Sequence, residues 1–424
     1  MLERLRTALT PDLRPLRESR DYRLLMTGAL ITGLGTQASL VAVPYQVYVI
    51  THKPVLVGLL GLVELGPLVA GSLFGGALAD RYDRRRLVLL YQLVLVAVAG
   101  GLAAASFLGT PPLWLLYVLA GALAGAGQLE RVARTSIVPN VVRREHLRAG
   151  ISNMFGLMQL TMVVGPAVGG VLIAAFNVQA AYTVDAVSCL GMAFAAAAMS
   201  PQPPYGVEKH EPVLRSIATG LRFVSGERAL LGSFAIDLIA MTFGMPRALF
   251  PVMALTVYHA GATGTGVLFA AVSAGATVAA ITTGWLGHAR YLGRITIGAV
   301  GVWGVAIAAA GVMPSLVLAA LLLAVAGAAD SVSAVCRSTI SQTLTPDHMR
   351  GRMSSVFSLV VAGGPRLGDV ESGSVASLTT VRVSVTSGGL ACLAGVVLIA
   401  LAFPELAGYD GDAVEPRTAP VAAA

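Results

Sequence analysis

One recurrence constrains this chain more than any other feature. Stretches of apolar residues, each close to the ~20 needed to cross the hydrocarbon core of a bilayer, follow one another almost end to end. They fall near residues 24–50, 54–78, 87–108, 112–135, 151–176, 179–199, 229–257, 263–286, 295–312, 315–338, 353–378 and 383–403. A soluble protein that is 56% hydrophobic and only 12% charged would lack the polar surface to cover itself. The runs are long and glycine-rich rather than alternating, which excludes a membrane β-barrel. The sequence therefore predicts an all-α integral membrane protein with twelve transmembrane helices.

The placement of charge orients these helices. With the N-terminus cytoplasmic, the loops on that side hold Arg4 to Arg23, Arg81, Arg84 to Arg86, Arg143, Arg144, Arg148, Lys209, Arg215, Arg222, Arg228, Arg290, Arg294, Arg350 and Arg352. The opposite side holds only Lys53 and Arg382. This is the bias that sets topology in membranes, and a missed helix would have inverted it. The first apolar run is longer than a signal-peptide core and has no clear cleavage site. The expected location is the plasma membrane, multi-pass, with both termini in the cytoplasm.

The longest polar interruption, 200–228, opens with Pro201, Pro203 and Pro204 and then places Leu214, Ile217, Leu221 and Val224 at helical spacing. That pattern predicts a cytoplasmic linker ending in an amphipathic surface helix. It divides the chain into an N-terminal segment (1–23), a first six-helix bundle (24–199), the linker (200–228), a second six-helix bundle (229–403) and a disordered tail (404–424).

The net charge of +7 does not point to nucleic acid, because the basic residues sit between apolar runs rather than on one polar face. Arginine supplies almost all of them, with Lys53 and Lys209 the only lysines, as expected of a GC-rich bacterial genome. Cys189, Cys336 and Cys392 each lie inside an apolar run, without metal-like spacing, and read as small packing residues. The histidines lie mostly in loops, no nucleophile–base cluster appears, and no phosphate-binding loop is present. No enzyme, cofactor or metal is expected.

The two halves repeat. Arg134-Thr135-Ser136-Ile137 precedes Glu145-His146-Leu147-Arg148, then Ser152 and Phe155. In the second half, Arg337-Ser338-Thr339-Ile340 precedes Asp347-His348-Met349-Arg350, then Ser354 and Phe357. Both copies fall between the fourth and fifth helix of their half, the mark of two six-helix bundles related by an axis along the membrane normal.

After the second helix the chain reads Gly76-Ala77-Leu78-Ala79-Asp80-Arg81-Tyr82-Asp83-Arg84-Arg85-Arg86. Gly76 allows close helix approach, Asp80 can take charge-assisted hydrogen bonds, and the arginines hold the loop in the cytoplasm. This loop resembles the signature G-x-x-x-D-R-x-G-R-R of the major facilitator superfamily, with Asp83 in place of the usual glycine. The resemblance implies a gating role for Gly76, Asp80, Arg81, Arg84 and Arg85. The second-half counterpart keeps Gly284, Arg290 and Arg294 but has His288 for the acid. In the fifth helix, Gly165-Pro166-Ala167-Val168-Gly169-Gly170 resembles the core of a drug/proton antiporter motif, and close helix packing explains it equally well. Val43-Pro44, Thr51-His52, Ala79 to Tyr82, Gly169-Gly170, Thr345-Pro346 and Gly351-Arg352 are similar to the branch of enterobactin exporters and actinobacterial multidrug efflux proteins.

Ionisable residues inside spans are costly and are functional candidates by default. They are Asp237 and Arg247 in helix seven, Asp330 in helix ten, and Arg366, Asp369 and Glu371 in helix eleven, with Asp185 in helix six. The resemblance places helices one, four, seven and ten around a central cavity. Asp237 and Asp330 are then candidates for coupling or substrate contact, or for helix pairing, and Gln37 in helix one could hydrogen-bond substrate or a neighbouring helix. Asp237 has no basic residue within one turn of its helix, which makes it the first candidate to carry a coupling proton. Arg366 and Asp369 are spaced to pair on one face, after a Gly363-Gly364-Pro365 sequence expected to weaken the helix. Glu130 and Arg134 are spaced for a structural clamp. The expected function is a monomeric secondary transporter, exporting an amphipathic drug- or siderophore-like molecule by alternating access against protons. A nutrient uptake facilitator and, more distantly, a membrane-embedded enzyme are the alternatives.

Overall fold

A computed structural model of the chain describes residues 12–204, 213–346 and 349–410. Among these, twelve long helices form: α1 (Arg20–Thr51), α2 (Pro54–Arg81), α3 (Arg84–Phe107), α4 (Leu113–Val141), α5 (Leu147–Phe176), α6 (Val178–Ala198), α7 (Arg228–Phe243), α8 (Gly261–Thr282), α9 (Leu292–Val312), α10 (Leu316–Leu344), α11 (Arg350–Leu378) and α12 (Val381–Ala402). Local chemistry sets several boundaries. Ser19 accepts from the Tyr22 N–H to start α1, Asp83 from that of Arg86 to start α3, and Thr380 from that of Val383 to start α12. Pro54 opens α2, where its missing N–H costs nothing. His52 closes α1 in the left-handed conformation.

Among the described residues, eleven helical segments are long and apolar enough to cross a membrane. The exception is α11, whose length suffices but which carries Arg366, Asp369 and Glu371. It runs through Pro365 as one helix, so the weakening expected at Gly363-Gly364-Pro365 does not interrupt it. The break falls instead in the seventh apolar run. There α7 stops at Phe243, and the chain resumes through a 3-10 turn (Arg247–Leu249), a short α turn (Phe250–Val252) and a π turn (Met253–Val257). Gly244 and Pro246 interrupt the ladder, and backbone groups at membrane depth become available for other partners.

The packing repeats with a period of six helices. In the first half α1 packs on α5 and α6, α4 on α2 and α3, and α3 on α6; in the second α7 packs on α11 and α12, α10 on α8 and α9, and α9 on α12. The halves meet through α2 against α11 and α5 against α8, which are themselves counterparts. Both meetings are close at the end away from the linker. A methyl group built on Gly170 of α5 would lie 2.7 Å from the Ala262 carbonyl oxygen of α8, and one on Gly373 of α11 would lie 2.8 Å from that of Pro54 on α2. Such contacts need residues without a side chain. One apolar core, including Val43, Leu60, Ile173, Phe250 and Leu268, joins the halves at that end. At the linker end the first half has a separate core of its own around Tyr22, Leu25, Val88, Ile137 and Met192.

The linker is anchored at both ends. Asp21 accepts from the Ser200 N–H at 3.3 Å, Asp83 from the Gln202 N–H at 3.1 Å, and the Gln202 carbonyl from the Arg84 N–H at 3.0 Å. The expected amphipathic helix is present at Val213–Gly226. It packs on the protein: Val224 is buried with Phe234, Met353 and Val356. Residues 205–212 lie outside the described residues. The expectation of a disordered tail from 404 holds for none of its first residues. A turn forms at Pro404–Ala407, Leu406 and Tyr409 are buried, and Glu405 and Asp410 pair at 2.6 Å with Arg228 and Arg290. Residues 411–424 lie outside the described residues.

Candidate functional site

The signature loop joins α2 to α3, and its arginines bind helix ends. Arg84 donates to the Ser136 carbonyl at 2.8 Å and to Asn140 at 3.1 Å, near the C-terminus of α4, and lies 3.9 Å from Asp80. Arg85 donates to the Ala196 and Ala197 carbonyls at 2.9 and 2.6 Å, at the C-terminus of α6. Cations at helix C-termini satisfy orphan carbonyls and complement the helix dipole. Arg81 stacks on Tyr82. Asp83, the departure from the signature, caps α3 and holds the linker at once. The close helix approach expected at Gly76 is not made: among the described residues, no atom of another element lies within 4 Å of the position its side chain would take. In the second half Arg294 donates to the Ala407 carbonyl at 3.2 Å, so it holds the chain beyond α12 as Arg85 holds the end of α6. The side chain of His288 lies outside the described residues.

A second cluster is built on α7 and α10. Arg337 is ion-paired with Asp237 of α7 and lies 3.6 Å from Asp330, two turns earlier on its own helix. Asp237 and Arg337 are 3% and 7% exposed, whereas the Asp330 side chain is 32% exposed. This corrects the expectation of Asp237 as a lone acid: its cation comes from another helix, 100 residues away. In the repeat, Arg337 corresponds to Arg134, which pairs with Glu130 at 2.9 Å as its spacing predicts.

The third cluster lies where α2 meets α11. Arg366 contacts Glu64 of α2 at 2.8 Å and Asp369 at 3.6 Å. The second oxygen of Asp369 accepts from the Ala248 N–H at 3.1 Å, a backbone group released by the break after α7. Arg247, in the same break, lies within electrostatic reach of Glu64 and Asp369 and sits 5.9 Å from the Phe269 ring centroid. The expected Arg366–Asp369 pair is therefore the weaker half of a network, and the closer partner of Arg366 is Glu64, which is not among the residues expected from the sequence. The signal was available, since Glu64 is a lone acid inside an apolar run.

The remaining candidates separate. Gln37 is half-buried and its stem packs on Gly165, while Ala38 packs on Gly169. Gly170 meets Gly266 of α8, so the Gly165–Gly170 motif serves both the first half and the meeting of halves; Pro166 stays within a continuous α5. Asp185 is fully buried and accepts from Thr36 at 3.1 Å. Glu18, Glu145 and His146 approach one another closely enough to suggest a metal site. Arg143 contacts both acids, at 3.6 and 3.8 Å, and puts a cation there already.

Repeated six-helix halves, glycine-mediated meetings between them and buried charge on helices seven, ten and eleven define a membrane transporter of the major facilitator type, not an enzyme. The transmembrane secretion effector family matches residues 10–423, and the chain belongs to that family. Its relatives include the enterobactin exporter EntS of Shigella boydii serotype 4 (strain Sb227), 31% identical over 86% of this chain and 88% of that protein. That of Citrobacter koseri is 30% identical over 90% and 91%. Among solved structures, the nucleoside transporter NupG shares the fold with a TM-score of 0.72 at 12% identity, covering 91% of this chain and all of that one. A POT peptide transporter does so with a TM-score of 0.74 at 12% identity, covering 92% and 95%.

Proposed function

We propose that the protein exports a siderophore-like small molecule across the bacterial inner membrane by alternating access, as a monomer driven by protons. The observation that supports this reading is the 31% identity with an enterobactin exporter over most of both chains. In this reading the units are the bundles 24–199 and 229–403, joined by a linker at 200–228, with both termini and the linker in the cytoplasm. The halves are sealed at the end away from the linker, so the state described is the one open to the cytoplasm. Asp80, Arg84 and Arg85 govern closure at the linker end, and the Glu64–Arg366 contact is undone when the opposite end opens.

Charge counting supports separate roles for the two buried clusters. Glu64, Asp369, Arg366 and Arg247 balance, so that network can be enclosed without a proton. Asp237 and Asp330 face a single guanidinium, so the triad carries one excess negative charge, which one proton would neutralise. Enclosing net charge at membrane depth is costly, and closure of the halves around the triad is thereby tied to proton uptake. The test is efflux from inverted vesicles carrying the protein, with an imposed pH gradient and a panel of siderophores, macrolides and dyes. Gradient-dependent accumulation of a siderophore supports the reading, and accumulation without any response to the gradient removes the proton from it.

A further inference from the structure

Among the described residues, Arg131 in the first half lies within a span and has no carboxylate partner. Arg131 lies on α4, ten residues before its end at Val141, or about 15 Å along the helix from that end. Its side chain is nevertheless exposed. Helix geometry fixes what it faces. Three residues earlier, Gln128 points at α2, where its amide donates to Ser72 at 2.8 Å. Three residues later, Arg134 points at α5, where it touches Met154. At ~100° per residue, Arg131 points midway between these directions. Since α2 and α5 are the helices by which the first half meets the second, Arg131 looks across the space between the halves rather than towards lipid.

The guanidinium is held without being neutralised. Its Nε and Nη2 both donate to Gln128 Oε1, at 3.1 and 2.8 Å. Gln128 is oriented in turn by Ser72, whose hydroxyl donates to the Leu68 carbonyl at 3.0 Å. The neighbouring carboxylate, Glu130, is committed to Arg134. Among the described residues no carboxylate lies within 4.0 Å of Arg131. An arginine has five N–H donors in a planar fork, and two are occupied by a neutral amide. The rest make no hydrogen bond to the described residues and leave the positive charge on the side that faces the space between the halves. A cation kept rigid by an uncharged partner is preorganised for an oxyanion.

The geometry points to Arg131 as the anion-receiving residue of the transport site, with Gln128 and Ser72 positioning it, and to a substrate that carries a carboxylate or comparable oxyanion. This assignment rests on the export reading for its physiological meaning, but it is testable by binding alone. The probes are 2,3-dihydroxybenzoate and its uncharged amide, titrated against the purified full-length protein. Wild type is expected to bind the acid at least about tenfold more tightly than the amide, the scale of one charge-assisted hydrogen bond. R131Q should bring the two affinities together, and R131K should keep part of the preference. Gln128→Leu should weaken acid binding without affecting the amide. Monodisperse elution and an unchanged melting temperature establish that the variants are folded; if R131Q does not fold, R131K and Gln128→Leu carry the comparison. Equal binding of acid and amide by wild type, binding of neither, or an undiminished preference in R131Q overturns the assignment. Vesicle efflux separates the two readings. Arg131-dependent binding with no export of any siderophore defeats the export reading and leaves Arg131 in place. Siderophore export unchanged in R131Q defeats Arg131 and leaves the export reading in place.

Discussion

Arg366 of α11 binds Glu64 of α2 at 2.8 Å, across the boundary between the two halves of the protein. Further along the same seam, towards the end away from the linker, the Val55 N–H donates to Ser377 at 2.8 Å, and Gly58 and Gly373 let the backbones approach. The ion pair thus sits in the seam that must part if the protein is to open away from the linker. Glu64→Gln should weaken the seam while keeping its shape, and spin labels at positions 53 and 379 should report a larger outward-open population. Arg366→Ala should do more harm, because Glu64 and Asp369 both lose their nearest cation; about 3–5 kcal/mol is the cost of stranding a buried charge. Thermal unfolding in detergent checks this, with the exchanged pair Glu64→Arg/Arg366→Glu recovering part of the loss. Unaltered label distances in Glu64→Gln would show that the pair does not restrain opening.

Asp83 stands where the family signature has glycine, and the structure gives it two tasks. One carboxylate oxygen caps α3 and the other holds the linker amide of Gln202. Asp83→Gly, which restores the signature, should cost a few tenths of a kcal/mol for the cap, and Asp83→Ala about 1 kcal/mol. Both should speed hydrogen exchange at Gln202. Exchange there that is indifferent to the substitution would rule out the anchoring contact.

Asp80→Asn should lower the rate of transport more than the amount of protein in the membrane. The amide keeps the shape but removes the charge at the end of α2, beside Arg84 at 3.9 Å. Initial efflux rates normalised to immunoblotted protein are the measurement, and unchanged kinetics would take Asp80 out of the gate.

What could be read from the sequence was what depends on neighbours along the chain. Apolar run length predicts the helices, and helical spacing predicts Glu130–Arg134 and Arg366–Asp369. What depends on neighbours in space was not legible. Arg337 belongs to a repeat motif, but nothing local joins it to Asp237. The break after α7 was hidden because Gly244 and Pro246 lie within a run that stays apolar on both sides. The tail was misjudged at its start because its Pro- and Ala-rich composition outweighed Leu406 and Tyr409, which the second half buries.

The orientation inferred from loop charge can be checked by labelling. A cysteine placed at position 53 should react with an impermeant maleimide in intact cells, and one at position 208 should react only after permeabilisation. Reaction at 208 in intact cells would invert the topology, and with it the direction in which the described state is open.

The last prediction concerns the triad on α7 and α10. Arg337 is shared by two carboxylates, close to Asp237 and 3.6 Å from Asp330. Asp237 is buried with the guanidinium, whereas Asp330 is 32% exposed and, in the proposed reading, faces the space between the halves. A proton that enters from that space meets Asp330 first. Asp330→Asn leaves a balanced Asp237–Arg337 pair, which can be enclosed in every state without a proton. It should therefore fold normally, lose export driven by the pH gradient, and keep downhill exchange of substrate. Asp237→Asn is different, because it frees Arg337 to move to Asp330 and takes away the tie between α7 and α10; it should lower the melting temperature as well as the rate. Arg337→Gln should be the most damaging, since it leaves the buried Asp237 and its neighbour Asp330 without a cation, and Asp237→Asn combined with it should recover stability because the buried acid is removed. Gradient-driven efflux, counterflow and melting temperature, measured on the same preparations, distinguish these outcomes. If Asp330→Asn still exports at the wild-type rate with unchanged dependence on the gradient, the excess charge of the triad is not what couples transport to protons.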